Sequence, residues 1–247
     1  MEKVKKERLD VLLTERGFFG SRERARASVM AGVVKVDGQP ATKPGVRYPA
    51  DADIAVTEPP HPYVGRGGLK LEYAFDQWKI DVSGAVCADI GASTGGFTDL
   101  MLRRGARKIY AIDVGYGQLD WKLRGDPRVV NLERTNVRYL DATLVDEAPS
   151  FIAIDVSFIS LKLVLPVAAS LLALGGQIVA LVKPQFEAGR GQVGKNGVVR
   201  DESVRREVVE KARGYAEENG LSVSGVIESP ITGAKGNIEY LMRCASE

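Results

Sequence analysis

The sequence predicts a doubly wound α/β domain with a mostly parallel seven-stranded sheet, preceded by a small N-terminal α/β unit. Three observations lead there. From about Val64 onward, short apolar runs alternate with helical patterns, as in βαβ units: Val86–Ile90, Lys108–Asp113, Val129–Leu132, Phe151–Asp155 and Gln177–Val182. Two last runs, Ser222–Ile227 and Ile238–Arg243, are joined by a Pro/Gly loop without a helix, so the sheet should end in an antiparallel hairpin. A break at Pro59-Pro60-His61-Pro62 separates this alternation from what precedes it, because such a stretch continues neither a helix nor a central strand. The expected domains are 1–58 and 65–247, with a linker over 59–64.

In the first unit, Leu9-Asp10-Val11-Leu12-Leu13 reads as a short amphipathic helix that stops at Gly17. Ser21 caps a second helix, Arg22 to Ala31, which Gly32 ends. Val33-Val34-Lys35-Val36 followed by Asp37-Gly38 is a strand and a tight turn.

In the second unit, Leu163–Val182 carries no charge and is long enough to cross a bilayer. It also holds Pro166, Gly175-Gly176 and Gln177, with Lys162 and Lys183 at its borders. These favour a buried helix over Leu161–Leu174, a turn, and a strand buried on both faces.

Composition narrows the chemistry. The chain has 247 residues and a net charge of +2, so any nucleic-acid surface must be local. Its charged N-terminus is no signal peptide, and two distant cysteines, Cys87 and Cys244, suit buried thiols in a reducing, cytoplasmic setting. The one histidine, His61, lies in the linker, so a His/Cys metal cluster is excluded by inventory and proton chemistry falls to Lys, Asp and Glu.

Asp89-Ile90-Gly91-Ala92-Ser93-Thr94-Gly95-Gly96-Phe97-Thr98 follows the first strand of the large sheet, where open α/β sheets bind ligands. Gly91, Gly95 and Gly96 are expected to let backbone approach a ligand. Asp89 repels a pyrophosphate but suits an ammonium group, and Asp113, after the next strand, can accept from a ribose diol. S-adenosylmethionine fits both ends of such a site; a tight turn with a capping Asp is the plain alternative. Asp155 and Lys183 end neighbouring apolar strands, Glu239 opens the last one, and Lys70 lies in a helix expected after Gly65-Arg66-Gly67-Gly68. Singly, each is an ordinary ion-pair member; together at strand ends they suggest a catalytic set.

These residues carry a resemblance. Arg66-Gly67-Gly68-Leu69-Lys70-Leu71, Asp89–Thr98, Asp155-Val156-Ser157-Phe158-Ile159-Ser160, Val182-Lys183-Pro184-Gln185-Phe186-Glu187 and Gly236-Asn237-Ile238-Glu239-Tyr240 resemble an FtsJ-like methyltransferase. Its fold is the Rossmann-like class I methyltransferase, and its Lys-Asp-Lys-Glu tetrad corresponds to Lys70, Asp155, Lys183 and Glu239. With Ser21-Arg22-Glu23-Arg24-Ala25 ahead of it, the chain resembles the TlyA family of haemolysin-like ribosomal RNA methyltransferases. That resemblance implies methylation of a ribose 2'-hydroxyl, of cytidine, in RNA of ribosomal subunits, with S-adenosylmethionine as cofactor and no metal. Lys183 is the expected base or hydroxyl-orienting group, held with the ribose by Asp155 and Lys70, while Glu239 balances charge. The family linker's Arg and Trp are absent from His61-Pro62-Tyr63-Val64.

The first unit resembles the alpha-L RNA-binding motif. Arg22 and Arg26, four apart on one helical face, would join Arg8 and Lys43 in a phosphate-binding patch; a solvated charged face is the alternative. Arg66 is a candidate guide for the target strand. Phe158 either lines the adenine side of the cofactor pocket or packs in the core. Two rival readings stay open: a membrane-active haemolysin, supported only by Leu163–Val182, and a non-catalytic RNA-binding assembly factor, against which the complete tetrad speaks.

Overall fold

The computed structural model describes residues 6–30, 32–57, 61–189 and 191–246. The chain divides into two compact units, Met1–Pro62 and Tyr63–Glu247.

In the first unit β1 (Lys6–Arg8) leads directly into α1 (Leu9–Glu15), and α2 (Arg22–Met30) follows. Strands β2 (Val34–Val36), β3 (Gln39–Pro40), β4 (Arg47–Pro49) and β5 (Ile54–Val56) complete it. β1 pairs with β4, while β3-β2-β5 form a second small antiparallel sheet. Leu9, Leu12 and Leu13 of α1 and Ala25 and Val29 of α2 bury their stripe against Val34, Val36 and Ile54. The described part of α2 ends at Met30; Ala31, its expected last residue, lies outside the described residues.

The second unit starts with α3 (Gly67–Trp78), then β6 (Val86–Ile90), α4 (Gly96–Arg103), β7 (Lys108–Ile112), α5 (Trp121–Arg124) and β8 (Val129–Leu132). β9 (Phe151–Ile154), α6 (Leu161–Leu171), β10 (Gln177–Val182), α7 (Pro184–Glu187), α8 (Glu202–Glu217), β11 (Leu221–Glu228) and β12 (Tyr240–Ser246) follow. Sheet order is β11-β12-β10-β9-β6-β7-β8, with β10 to β8 parallel and the β11–β12 pair antiparallel. The chain runs outward from β6 through β7 and β8, then returns to β9 on its other side. The switch point therefore lies between the ends of β6 and β9, where such sheets open a crevice for ligands.

Several boundaries differ from the sequence reading. Only 3₁₀ turns, Val137–Tyr139 and Ala142–Leu144, connect β8 to β9. The apolar stretch splits as expected, but α6 stops at Leu171 and Leu174 is exposed rather than buried, because the chain turns at Ala173–Gly176. Among the described residues no helix is long and apolar enough to cross a membrane. Gly67 and Gly68 lie inside α3, not before it. The final strand begins at Tyr240; Glu239 precedes it, held where Ser229 N–H donates to its carbonyl.

Candidate active site

The loop after β6 turns through left-handed backbone at Gly91 (φ +90°), Ser93 (φ +48°) and Gly95 (φ +96°). Its glycines leave room for the protein's own atoms. A Cβ on Gly91 would run into the Asp155 carbonyl oxygen, and one on Gly95 into Leu123. One on Gly96 would stand 2.9 Å from Gly65 O and Gly68 N. Backbone thus packs on backbone where the loop, the 65–68 turn and the end of β9 meet, which gathers three separate motifs at the switch point.

Asp89 lies within β6, beneath the loop, and is fully buried. Its Oδ2 accepts from Thr98 N–H (2.9 Å) and Thr98 Oγ1 (2.6 Å), anchoring the first turn of α4; Oδ1 has no partner among the described residues. Burial, then the nearby charges of Asp155 and Asp113, push its carboxyl up to about 7 despite the Thr98 hydrogen bonds. A cationic ligand group would offset that cost, so the site's electrostatics fit an ammonium. Phe97 and Thr98 are buried, which leaves Gly91, Ser93 and Thr94 as the accessible members of the loop. Asp113 follows β7 and accepts from Ser93 N–H (2.8 Å) and Gly115 N–H (2.6 Å), joining the two ligand-facing loops.

The four tetrad positions come together. Lys70 Nζ donates to Glu239 Oε2 at 2.6 Å, with side chains only 6 % and 2 % exposed. Lys183 Nζ lies 2.6 Å from Asp155 Oδ1 and 3.0 Å from Ser157 Oγ. Burial alone would raise the Asp155 carboxyl, but the charges of Lys183, Lys70 and Arg66 and the Lys183 hydrogen bond hold it below the usual value. These two partners take two of the three free positions on Lys183 Nζ, which leaves one to meet a substrate oxygen.

Other participants carried no clear sequence signal. Gln185 Nε2 donates to Glu239 Oε1 at 2.8 Å, and adjacency to Lys183-Pro184 was the only hint. Tyr63, which opens the second unit, is buried, donates to Glu72 and carries the Arg103 guanidinium over its ring at 5.6 Å. Val64 N–H donates to Asp99 Oδ2 in α4 (2.9 Å), so this segment is tied to the helix behind the cofactor loop. Phe158 is not core packing: it is 90 % exposed at φ +63°, its ring 4.9 Å from that of Phe186. Arg66 is half-buried and donates to the Thr232 carbonyl.

On the first unit, Arg26 and Lys43 are exposed. Arg8 and Arg22 are partly exposed and converge on Asp10, a carboxylate the sequence reading passed over.

Residues 63–245 match the FtsJ-like methyltransferase family, and residues 7–54 match the S4 domain. The chain is 51 % identical over 239 residues to the "Putative rRNA methyltransferase YqxC" of Bacillus subtilis, covering 96 % of this chain and 85 % of the relative. It is 45 % identical over 240 residues to the 16S/23S rRNA (cytidine-2'-O)-methyltransferase TlyA of Mycobacterium tuberculosis, covering 97 % and 90 %. A solved structure titled "Putative hemolysin from Streptococcus thermophilus" is similar at a TM-score of 0.77 and 48 % identity, over 99 % of this chain and 90 % of that one.

Proposed function

Because this chain belongs to the FtsJ-like methyltransferase family and carries an S4 domain ahead of that fold, we propose that it methylates the 2'-hydroxyl of cytidine in ribosomal RNA. The observation that carries this reading is the pair of lysine–carboxylate contacts at the switch point, Lys183–Asp155 and Lys70–Glu239, beside a glycine loop whose buried Asp89 suits a cation. A ribosomal substrate puts the work in the cytoplasm.

S-adenosylmethionine would be held by the loop from Gly91 to Gly96, with its ammonium in the field of Asp89 and its ribose at Asp113; when bound it supplies a methyl group on a sulfonium. The chain's own residues do the rest. Transfer to a hydroxyl needs an in-line approach and a destination for one proton. Lys183, oriented by Asp155 and Ser157, takes the hydroxyl proton as the ribose oxygen gains the methyl group, and the ammonium so formed stays paired with Asp155. Lys70, fixed by Glu239, adds to the field that keeps Asp155 ionised. Phe158 presents a bare aromatic face close in sequence to Lys183's partners, suited to stack a base turned out of its helix. Arg66 and the S4 arginines hold phosphates, which position an RNA without reading its sequence.

The test incubates small and large ribosomal subunits with radiolabelled S-adenosylmethionine and wild-type or Lys183→Ala protein. Label in RNA 2'-O-methylcytidine with wild type and almost none with the variant is expected. Equal label with both proteins would remove Lys183 from its role, and no label with either would sink the reading.

A further inference from the structure

Asp10 is the second residue of α1, and its carboxylate is fully buried beside the unit's apolar core. It accepts from Arg8 Nε (3.0 Å) and Nη2 (2.9 Å) and from Arg22 Nη2 (3.2 Å), so one anion joins a strand-end arginine to one opening α2. Its backbone N–H donates to Pro44 O (3.0 Å), and that of Leu9 to Val46 O (2.9 Å), which brings the loop carrying Lys43 to the same place. Arg8 spends two of its five N–H donors on Asp10 and Arg22 spends one, leaving side chains 41 % and 53 % exposed with three and four donors not used on that carboxylate.

We propose that Asp10 is a positioning residue for RNA: a buried anion that sets Arg8 and Arg22 at fixed spacing beside the Lys43 loop, so that their remaining N–H groups meet neighbouring phosphate oxygens of a structured RNA. This rests on the ribosomal RNA reading above. An arginine free in water loses much side-chain entropy when a phosphate captures it; one already clamped at a carboxylate has lost it on folding. The electrostatic expectation is the opposite, since deleting an anion from a cationic face normally strengthens RNA binding. The two effects differ in sign, which makes the proposal decidable.

Binding of the full chain to purified ribosomal subunits is measured across a salt series for wild type, Asp10→Asn, Arg8→Gln/Arg22→Gln and the triple variant. Asp10→Asn should bind about tenfold more weakly, with a salt slope smaller by about one phosphate contact. It should raise KM for subunits while kcat holds. The triple variant should bind like the double, because Asp10 acts only through those arginines. If Asp10→Asn binds as tightly as wild type or tighter, the proposal is overturned. A triple variant markedly weaker than the double overturns it too, since Asp10 would then merely hold the unit folded. Should wild type itself neither bind nor label subunits, the functional reading falls instead.

Discussion

Lys183 Nζ stands 2.6 Å from Asp155 Oδ1 because of strand register. Ala180 pairs with Ile154 across β10 and β9, so Leu181 continues level with Asp155 and Lys183 follows two residues on. Alternation along a strand returns Lys183 to the same face as Asp155, whereas a one-residue slip would send it to the other. Lys70 and Glu239 meet differently, from a helix and a loop 169 positions apart in the chain.

That second pair is almost fully buried, so its halves should be unequal alone and together. Glu239→Gln strands a buried ammonium and is expected to cost about 3 kcal/mol. Lys70→Met combined with Glu239→Gln should recover at least half of that loss while remaining inactive. Denaturant unfolding measures both, and strictly additive losses would mean that the two side chains are not coupled.

Asp89 should make both stability and cofactor affinity depend on pH. Its folded carboxyl sits at about 7 against an ordinary 3.8, so the folded chain keeps a proton that the unfolded chain releases. That contribution is fully present below the ordinary value and is lost as pH rises toward 7. Affinity for S-adenosylmethionine runs the other way, rising as Asp89 ionises. Calorimetry at about pH 5.5 and about pH 8 should show the difference in wild type and not in Asp89→Asn, which keeps one oxygen for Thr98. A wild-type Kd unchanged between those conditions removes Asp89 from the ammonium site.

Gly91→Ala should do more harm than its backbone angle explains. Gly91 and Gly175 both have positive φ (+90° and +71°), but a Cβ at 175 meets nothing within 4 Å while one at 91 strikes the Asp155 carbonyl. Gly175→Ala is expected to cost about 1 kcal/mol and leave methyl transfer intact. Gly91→Ala should cost more and abolish transfer. Equal losses in thermal stability and activity would contradict the close-packing account of the loop.

Phe158→Ala should leave stability within about 0.5 kcal/mol, since the ring is exposed. Methyl transfer to ribosomal subunits should fall about tenfold, the size expected for one lost base stack, and Phe158→Trp should keep most of it. A fall in S-adenosylmethionine affinity of the same size would instead return Phe158 to the cofactor pocket.

Patterns that depend on neighbours in the chain were legible beforehand. Apolar runs marked the strands, the Pro-rich break lay close to the join between the two units, and family resemblance singled out Lys70 in a helix together with Asp155, Lys183 and Glu239 at strand ends. What no local pattern carries is which face and which partner a side chain meets. Asp89 was legible as a member of the strand Val86–Ile90, but only the sheet's stacking decides that its carboxylate lies under α4 and accepts from Thr98. That the glycines make room for the Asp155 carbonyl and the 65–68 turn is visible only in the fold. Asp10 looked like one polar residue of an amphipathic helix, and only the approach of Arg22 from α2 makes it a hub. The proposed cofactor loop and the four tetrad positions were therefore legible in the sequence, the latter through its resemblance to a family. Their pairing, burial and charge state were decided by tertiary contacts, since burial and long-range ion pairs are properties of what the fold brings near, not of what the chain places next.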